Sequence, residues 1–170
     1  QTCALPICDG AAQGRAPVPV AVNLAPAQLL HAGLADRVAQ ALQASGATPQ
    51  RLILELPEAL LAPASEATSR VLDGLRALGV HLAVQNFGIG CSSLAGLRQQ
   101  ALDSLHLDRS LVATAATHPA DRALVLAIHG MARSMGMSLV AVGVETEAQA
   151  RFFAGIGGVA VQGHLFCGAL

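Results

Sequence analysis

No lysine occurs anywhere in the 170 residues, so all 10 basic side chains are arginine. Schiff-base chemistry and lysine-based phosphate binding are therefore excluded. Trp and Tyr are also absent, and the 4 Phe make up only 2% of the chain. Platforms on which nucleobases stack are correspondingly scarce. Charge is sparse as well: 12% of residues are charged, and 10 basic against 11 acidic residues leave a net charge of -1. General nucleic-acid binders present a basic face, so no nucleic-acid partner is expected. No apolar run reaches the ~20 residues of a membrane-crossing helix, and no membrane span is expected. The first residues, Gln1 to Asp9, have neither a basic segment nor an apolar core, so no signal peptide is expected there. The chain starts with Gln1 rather than methionine and reads as a piece of a longer one.

The 4 cysteines fall at positions 3, 8, 91 and 167. Cys3 and Cys8 do not form a Cys-x-x-Cys redox pair, and no second close pair completes a zinc site. Free thiols in a cytoplasmic protein are the expectation. With 53% hydrophobic residues the chain is too apolar for disorder, and its length fits one domain.

Short apolar runs alternate with longer segments of helical period. Strands are expected at 18–22, 52–56, 80–84, 104–107, 138–142 and 159–161. Helices are expected at 27–44, 65–78, 94–100, 121–135 and 147–154. Leu30, Leu34, Val38 and Leu42 form the inward stripe of the first helix. Val71, Leu72, Leu75 and Leu78 form that of the second, which Ser65 caps. Leu124, Val125, Ile128 and Met135 point inward from the helix at 121–135. The strand runs are apolar on both faces, as buried parallel strands are. Repeated strand–helix units favour a parallel α/β sheet or a (β/α)8 barrel. Barrels collect their polar site residues at strand C-terminal ends. Asn23, Glu55, Gln85, Asn86, Asp108, Glu145 and Gln162 all fall at or just beyond such ends. Caps and turns, which also favour Asn and Asp, are the competing explanation.

Six ordered segments carry a family resemblance. Val22-Asn23-Leu24-Ala25-Pro26-Ala27-Gln28-Leu29 resembles the Val-Asn-Leu-Ser-x-x-Gln-Leu segment of the EAL domain, a bacterial hydrolase of cyclic di-GMP. Glu55-Leu56-Pro57-Glu58 is similar to that family's Glu-Leu-Thr-Glu. Gln85-Asn86-Phe87-Gly88-Ile89-Gly90-Cys91-Ser92-Ser93-Leu94 is similar to Asp-Asp-Phe-Gly-Thr-Gly-Tyr-Ser-Ser-Leu. His106-Leu107-Asp108-Arg109-Ser110 resembles Lys-Ile-Asp-Arg-Ser. Ala141-Val142-Gly143-Val144-Glu145-Thr146 resembles Ala-Glu-Gly-Val-Glu-Thr, and Gln162-Gly163-His164-Leu165-Phe166 resembles Gln-Gly-Tyr-Leu-Phe. The resemblance implies an incomplete barrel of the TIM type, (β/α)8, with six of eight strands, so that residues 1–170 form one partial EAL domain. Residues 1–17 read as the tail of a preceding helix and its loop. The two missing strands leave apolar surface exposed beside Val20 and Val22.

The resemblance also carries a two-metal phosphodiester cleavage that uses magnesium or manganese. Asn23 and Glu55 match its metal ligands. The paired aspartates of the family fall on Gln85 and Asn86, an acid falls on Val142 and a lysine on His106. Asp108, Glu145 and Gln162 are retained, and the signature glutamate has no counterpart in this chain. Glu58 matches a residue that holds a mobile loop, in a network that includes Glu145. His106 and His164 read as hydrogen-bonded histidines rather than bases. With three formal negative charges gone, no catalytic residue, no bound cofactor and no ordered ion between Glu55 and Asn86 are expected. The expectation is thus a degenerate, non-catalytic module that regulates or binds proteins in cyclic di-GMP signalling. A metal-independent cyclic di-GMP receptor is the alternative, and a weak phosphodiesterase within a longer native chain is the second. Partners implied are cyclic di-GMP, a protein or preceding segment that covers the open barrel, and a second copy in a homodimer.

Overall fold

The computed structural model describes residues 19–61, 66–90 and 94–166. The cysteines, the reading of residues 1–17 and the cap at Ser65 lie outside them.

Strands β1 (Val20–Asn23), β2 (Leu52–Pro57), β3 (His81–Phe87), β4 (Ser104–Leu107), β5 (Ser138–Val142) and β6 (Val159–Gln162) run in the order β1-β2-β3-β4-β5-β6. The β1–β2, β3–β4, β4–β5 and β5–β6 pairings are parallel. Helices α1 (Pro26–Leu29), α2 (Leu34–Ser45), α3 (Glu66–Ala77), α4 (Leu94–Gln99), α5 (Arg109–Ala115), α6 (Pro119–Ser134) and α7 (Glu147–Ile156) lie between them along the chain. This is the strand–helix repeat of an incomplete (β/α)8 barrel, with six strands. It divides into two compact units, Gln1–Leu56 with Ala64–Leu82 and Pro57–Pro63 with Ala83–Leu170.

In the first unit, β1 and β2 pair in register from Val20 opposite Leu52 to Asn23 opposite Glu55. Leu54, Leu56, Leu72 and Leu75 are buried, while Val22 on the edge strand is 41% exposed. Among the described residues no further strand pairs with β1, and Val22 is exposed there. The helix expected over 27–44 is two helices. Residues 30–33 break it, and Gly33 serves as the N-cap of α2. Leu30, expected inward, is 75% exposed for that reason. Leu34 and Leu42 are buried as their spacing predicts. Gly46 ends α2 at φ 65, a left-handed conformation that glycine adopts without a Cβ clash.

In the second unit β4 is buried at every position, Ser104 to Leu107, as a central parallel strand requires. Val84, Leu105, Val112, Val125, Leu139 and Phe153 are fully enclosed around it. α5 escapes the periodicity reading because it is short and follows directly on the strand. Asp108 starts it, its carboxylate accepting from the Ser110 N–H. Leu124 and Met135, read as inward, are 43% and 37% exposed, because Val125, Ile128 and Ala132 fill that face of α6.

α6 also buries His129, which is 8% exposed and whose Nε2 has no hydrogen-bond partner among the described residues. An unsatisfied buried polar atom costs about 1–3 kcal/mol. His129→Leu is therefore expected to raise the melting temperature by a few degrees, read by circular dichroism; a fall would show that the ring nitrogen is satisfied in solution.

Candidate functional site

The candidate residues sit in or just beyond the C-terminal halves of the parallel strands. In the first unit, Asn23 closes β1 opposite Glu55 of β2. The Leu24 N–H donates to the Glu55 carbonyl at 2.9 Å, which ties the two strand ends together. Register partners on adjacent strands share a face, so the amide and the carboxylate project from the same side. Asn23 is exposed and Glu55 is half-buried.

In the second unit, Glu58 follows Pro57 and opens a 3-10 turn, Glu58–Leu61. Its Oε2 accepts from the Gly90 N–H at 3.3 Å. A Cβ on Gly90 would come within 3.1 Å of the Glu58 carboxyl group, so the absence of a side chain lets the loop reach it. Glu58 thus contacts the loop at Gly90.

The paired amides lie inside β3 rather than after it. Val84 pairs with Leu105 and Phe87 with Leu107, so three steps along β3 match two along β4. The extra residue is a β-bulge that turns side chains at the strand end. Asn86 takes φ 56 there, the one positive φ at a non-glycine residue among the described residues. Asparagine tolerates this conformation better than most residues. Asn86 is exposed, Gln85 is half-buried, and Phe87 behind them is buried. Sequence periodicity did not reveal the bulge, although the polar pair inside an apolar run was its signal.

His106 is 5% exposed, with Nε2 3.3 Å from the Ser104 hydroxyl. Asp108 Oδ1 accepts from the Ser110 N–H at 2.8 Å and from its hydroxyl at 2.6 Å. Next to it, Arg109 Nη2 donates to Glu145 Oε1 at 2.8 Å. This ion pair links the ends of β4 and β5. Both side chains are about half exposed or more, so it holds geometry more than it adds stability. Glu145 is thus anchored by Arg109. His164 approaches the same carboxylate at 3.9 Å through Nδ1. Gly143, at φ 85, lies under the Arg109 stem: a Cβ would come within 2.8 Å of Arg109 Cγ.

Val142 ends β5 opposite Gln162 of β6. The Gln162 carbonyl accepts from the N–H groups of Gly143 and Val144 at 2.7 and 3.0 Å. Glu145 leads into α7, where Gln149 Oε1 accepts from the N–H groups of Glu145 and Thr146, and the Thr146 hydroxyl accepts from the Gln149 N–H. This capping box presents Glu145 at a set position. Its sequence signature, Thr-x-x-Gln, was legible but was not read.

Among the described residues no three His, Cys, Asp or Glu side chains gather into a metal site. The donor chemistry is nonetheless all oxygen: a carboxylate at Glu55, an amide at Asn23, and further amides and carboxylates at other strand ends. Oxygen donors of this kind suit magnesium or manganese and not zinc. The residues fit such an ion through Glu55 and Asn23, with amides supplying donors but no charge. No helix among the described residues is long and apolar enough to cross a membrane.

The chain matches the EAL domain family over residues 7–169 and belongs to it. Two curated relatives come from Pseudomonas aeruginosa. MucR, a bifunctional diguanylate cyclase/cyclic di-GMP phosphodiesterase, is 38% identical over 152 residues, 89% of this chain and 22% of MucR. NbdA, a cyclic di-GMP phosphodiesterase, is 40% identical over 147 residues, 86% of this chain and 19% of NbdA. The solved MucR phosphodiesterase in complex with cyclic di-GMP superposes with a TM-score of 0.87 at 35% identity, covering 96% of this chain and 68% of that one. The chain spans about a fifth of the length of these curated relatives.

These relatives correct three expectations: that the chain is a non-catalytic module, that it is not an enzyme, and that it uses no cofactor. Relatives this similar are phosphodiesterases of a family that the resemblance ties to magnesium or manganese. The physical reason is that counting lost charges gave Gln85, Asn86 and Val142 too much weight. An amide oxygen remains a hard donor, and Glu55, Glu58, Asp108 and Glu145 keep their carboxylates. The reading of the site as degenerate gains no support.

Proposed function

We propose that residues 1–170 form part of an EAL domain that hydrolyses cyclic di-GMP within a longer bacterial protein, in the cytoplasm. The observation that carries this reading is the pairing of Asn23 with Glu55 at adjacent strand ends, in a chain so similar to cyclic di-GMP phosphodiesterases. Glu55 and Asn23 would hold a divalent ion. Such an ion supplies an activated water and neutralises charge on the phosphoryl oxygens. Glu58 holds the loop at Gly90 through its Oε2. Arg109 fixes the Glu145 carboxylate, and the Asp108 Oδ1 bonds to Ser110 leave Oδ2 to accept from a ligand or a water. The missing strands, and any protein partner or second copy, would cover the open edge beside Val22. The test is release of linear dinucleotide from cyclic di-GMP with magnesium or manganese, against a protein-free control. No product above that control would reject the proposal.

Gln85→Asp with Asn86→Asp restores two formal charges where the family has aspartates. Tighter ion binding is expected to raise turnover at fixed, subsaturating magnesium by about tenfold or more. An unchanged rate, with the melting temperature preserved, would show that charge at these two positions does not affect turnover.

A further inference from the structure

A second surface lies on the outer helices of the second unit, on a different part of the chain from the strand-end residues. α6 and α7 frame an open cleft of about 510 Å³. Its floor includes Leu126 from α6 and Ala148, Phe152 and Ile156 from α7. The α7 residues recur at positions four apart, so they form one continuous stripe along about two turns. Leu126 remains 47% exposed, which no closed core position of this size would be.

Two arginines, Arg122 and Arg151, line the same cleft. Neither has a carboxylate within ion-pair distance among the described residues. Both heads are nevertheless held in place. Arg122 Nη2 donates to the Ala116 carbonyl at 2.7 Å, and its guanidinium lies 5.4 Å from the Phe152 ring centroid. Arg151 Nε donates to the Glu147 carbonyl at 3.3 Å. Asp121 and Glu147 are the nearest acids in sequence, and both lie in the first turns of their helices. An arginine spends few of its five donors on one carbonyl. In a chain with so few charged residues, two ordered and unneutralised guanidiniums beside an apolar stripe form a specific pattern.

We propose that this cleft docks an acidic amphipathic helix of a partner protein. The helix would set leucine-type side chains against Leu126, Phe152 and Ile156, and glutamates or aspartates against Arg122 and Arg151. A groove between two helices with an apolar floor takes a helix by anchors at i, i+4 and i+7. Charge-assisted bonds from the arginines select carboxylates over lysines and fix the register.

The test uses a fluorescein-labelled synthetic helical peptide of about 14 residues, long enough to cover the stripe. It carries leucines at i, i+4 and i+7 and glutamates beside them, and polarisation is read against the intact protein. Saturable binding is expected, weakened at least about tenfold by Leu126→Glu and by Arg151→Glu. A peptide with lysines in place of the glutamates should bind Arg151→Glu more tightly than the wild type. Both substituted side chains are exposed, and unchanged far-ultraviolet spectra verify that the variants fold. Absence of saturable binding, or equal binding by the glutamate and lysine peptides, would overturn the proposal. So would sedimentation of the wild type with phosphatidylserine vesicles while the peptide stays unbound, which would make the cleft a membrane-facing surface.

Discussion

Glu55→Ala is expected to lower cyclic di-GMP hydrolysis by at least about a hundredfold, with little change in folding. The carboxylate sits at the end of β2 opposite Asn23. The strand itself is held by buried Leu54 and Leu56, so truncating the half-buried residue between them leaves its backbone in place. What the variant loses is the negatively charged oxygen donor beside the neutral Asn23 amide. Glu55→Gln separates the two contributions, since it keeps an oxygen donor and removes the charge. Its activity is expected to fall between the wild type and alanine, and to recover partly as magnesium is raised. A rise in melting temperature with magnesium in the wild type, lost in Glu55→Gln, gives a readout independent of turnover. Equal hydrolysis by Glu55→Ala and the wild type would remove Glu55 from the site.

Gly163→Ala should destabilise the fold by about 3 kcal/mol or more. A Cβ at Gly163 would overlap the backbone N, C and O of Val144. Backbone cannot swing aside as the end of a long side chain can. Backbone bonds also join the two segments: Gly143 and Val144 donate to the Gln162 carbonyl, and Leu165 donates to the Val144 carbonyl. Alanine must push the end of β6 away from β5 and break some of these bonds. In a domain of this size the melting temperature is expected to fall by roughly 10 °C. Gly143→Ala provides a comparison, because its new Cβ meets the flexible Arg109 stem and the cost comes chiefly from φ 85. A Gly163→Ala protein as stable as Gly143→Ala would show that the β5–β6 turn can relax.

The two variants mark different degrees of legibility. Glu55 and Asn23 were readable because barrel chemistry gathers at strand ends and the flanking apolar runs locate those ends. The Gly163 constraint was not readable, since it depends on a backbone segment 19 positions earlier in the chain coming into contact. Reading the altered residues as loss of function failed for a related reason. Residue identity shows that charge has changed, but not how many oxygen donors remain within reach of an ion.

By itself the amino-acid sequence determined the alternation of strands and helices, the parallel sheet and the family. Apolar runs and helical stripes are local patterns, and burial in a parallel sheet imposes them directly. β4 at 104–107, buried throughout, and β5 at 138–142, with Leu139 and Ala141 buried, emerged with the same bounds in the structure. Only the tertiary structure decided the bulge at Gln85 and Asn86, the Arg109–Glu145 pair and the break at residues 30–33. The bulge exists because β3 must match a neighbouring strand of different local length. The ion pair joins residues 36 apart, which meet only once β4 and β5 lie side by side. At 30–33 the helical period continues through the sequence, and the break shows only in the folded chain, where Leu30 is left at the surface.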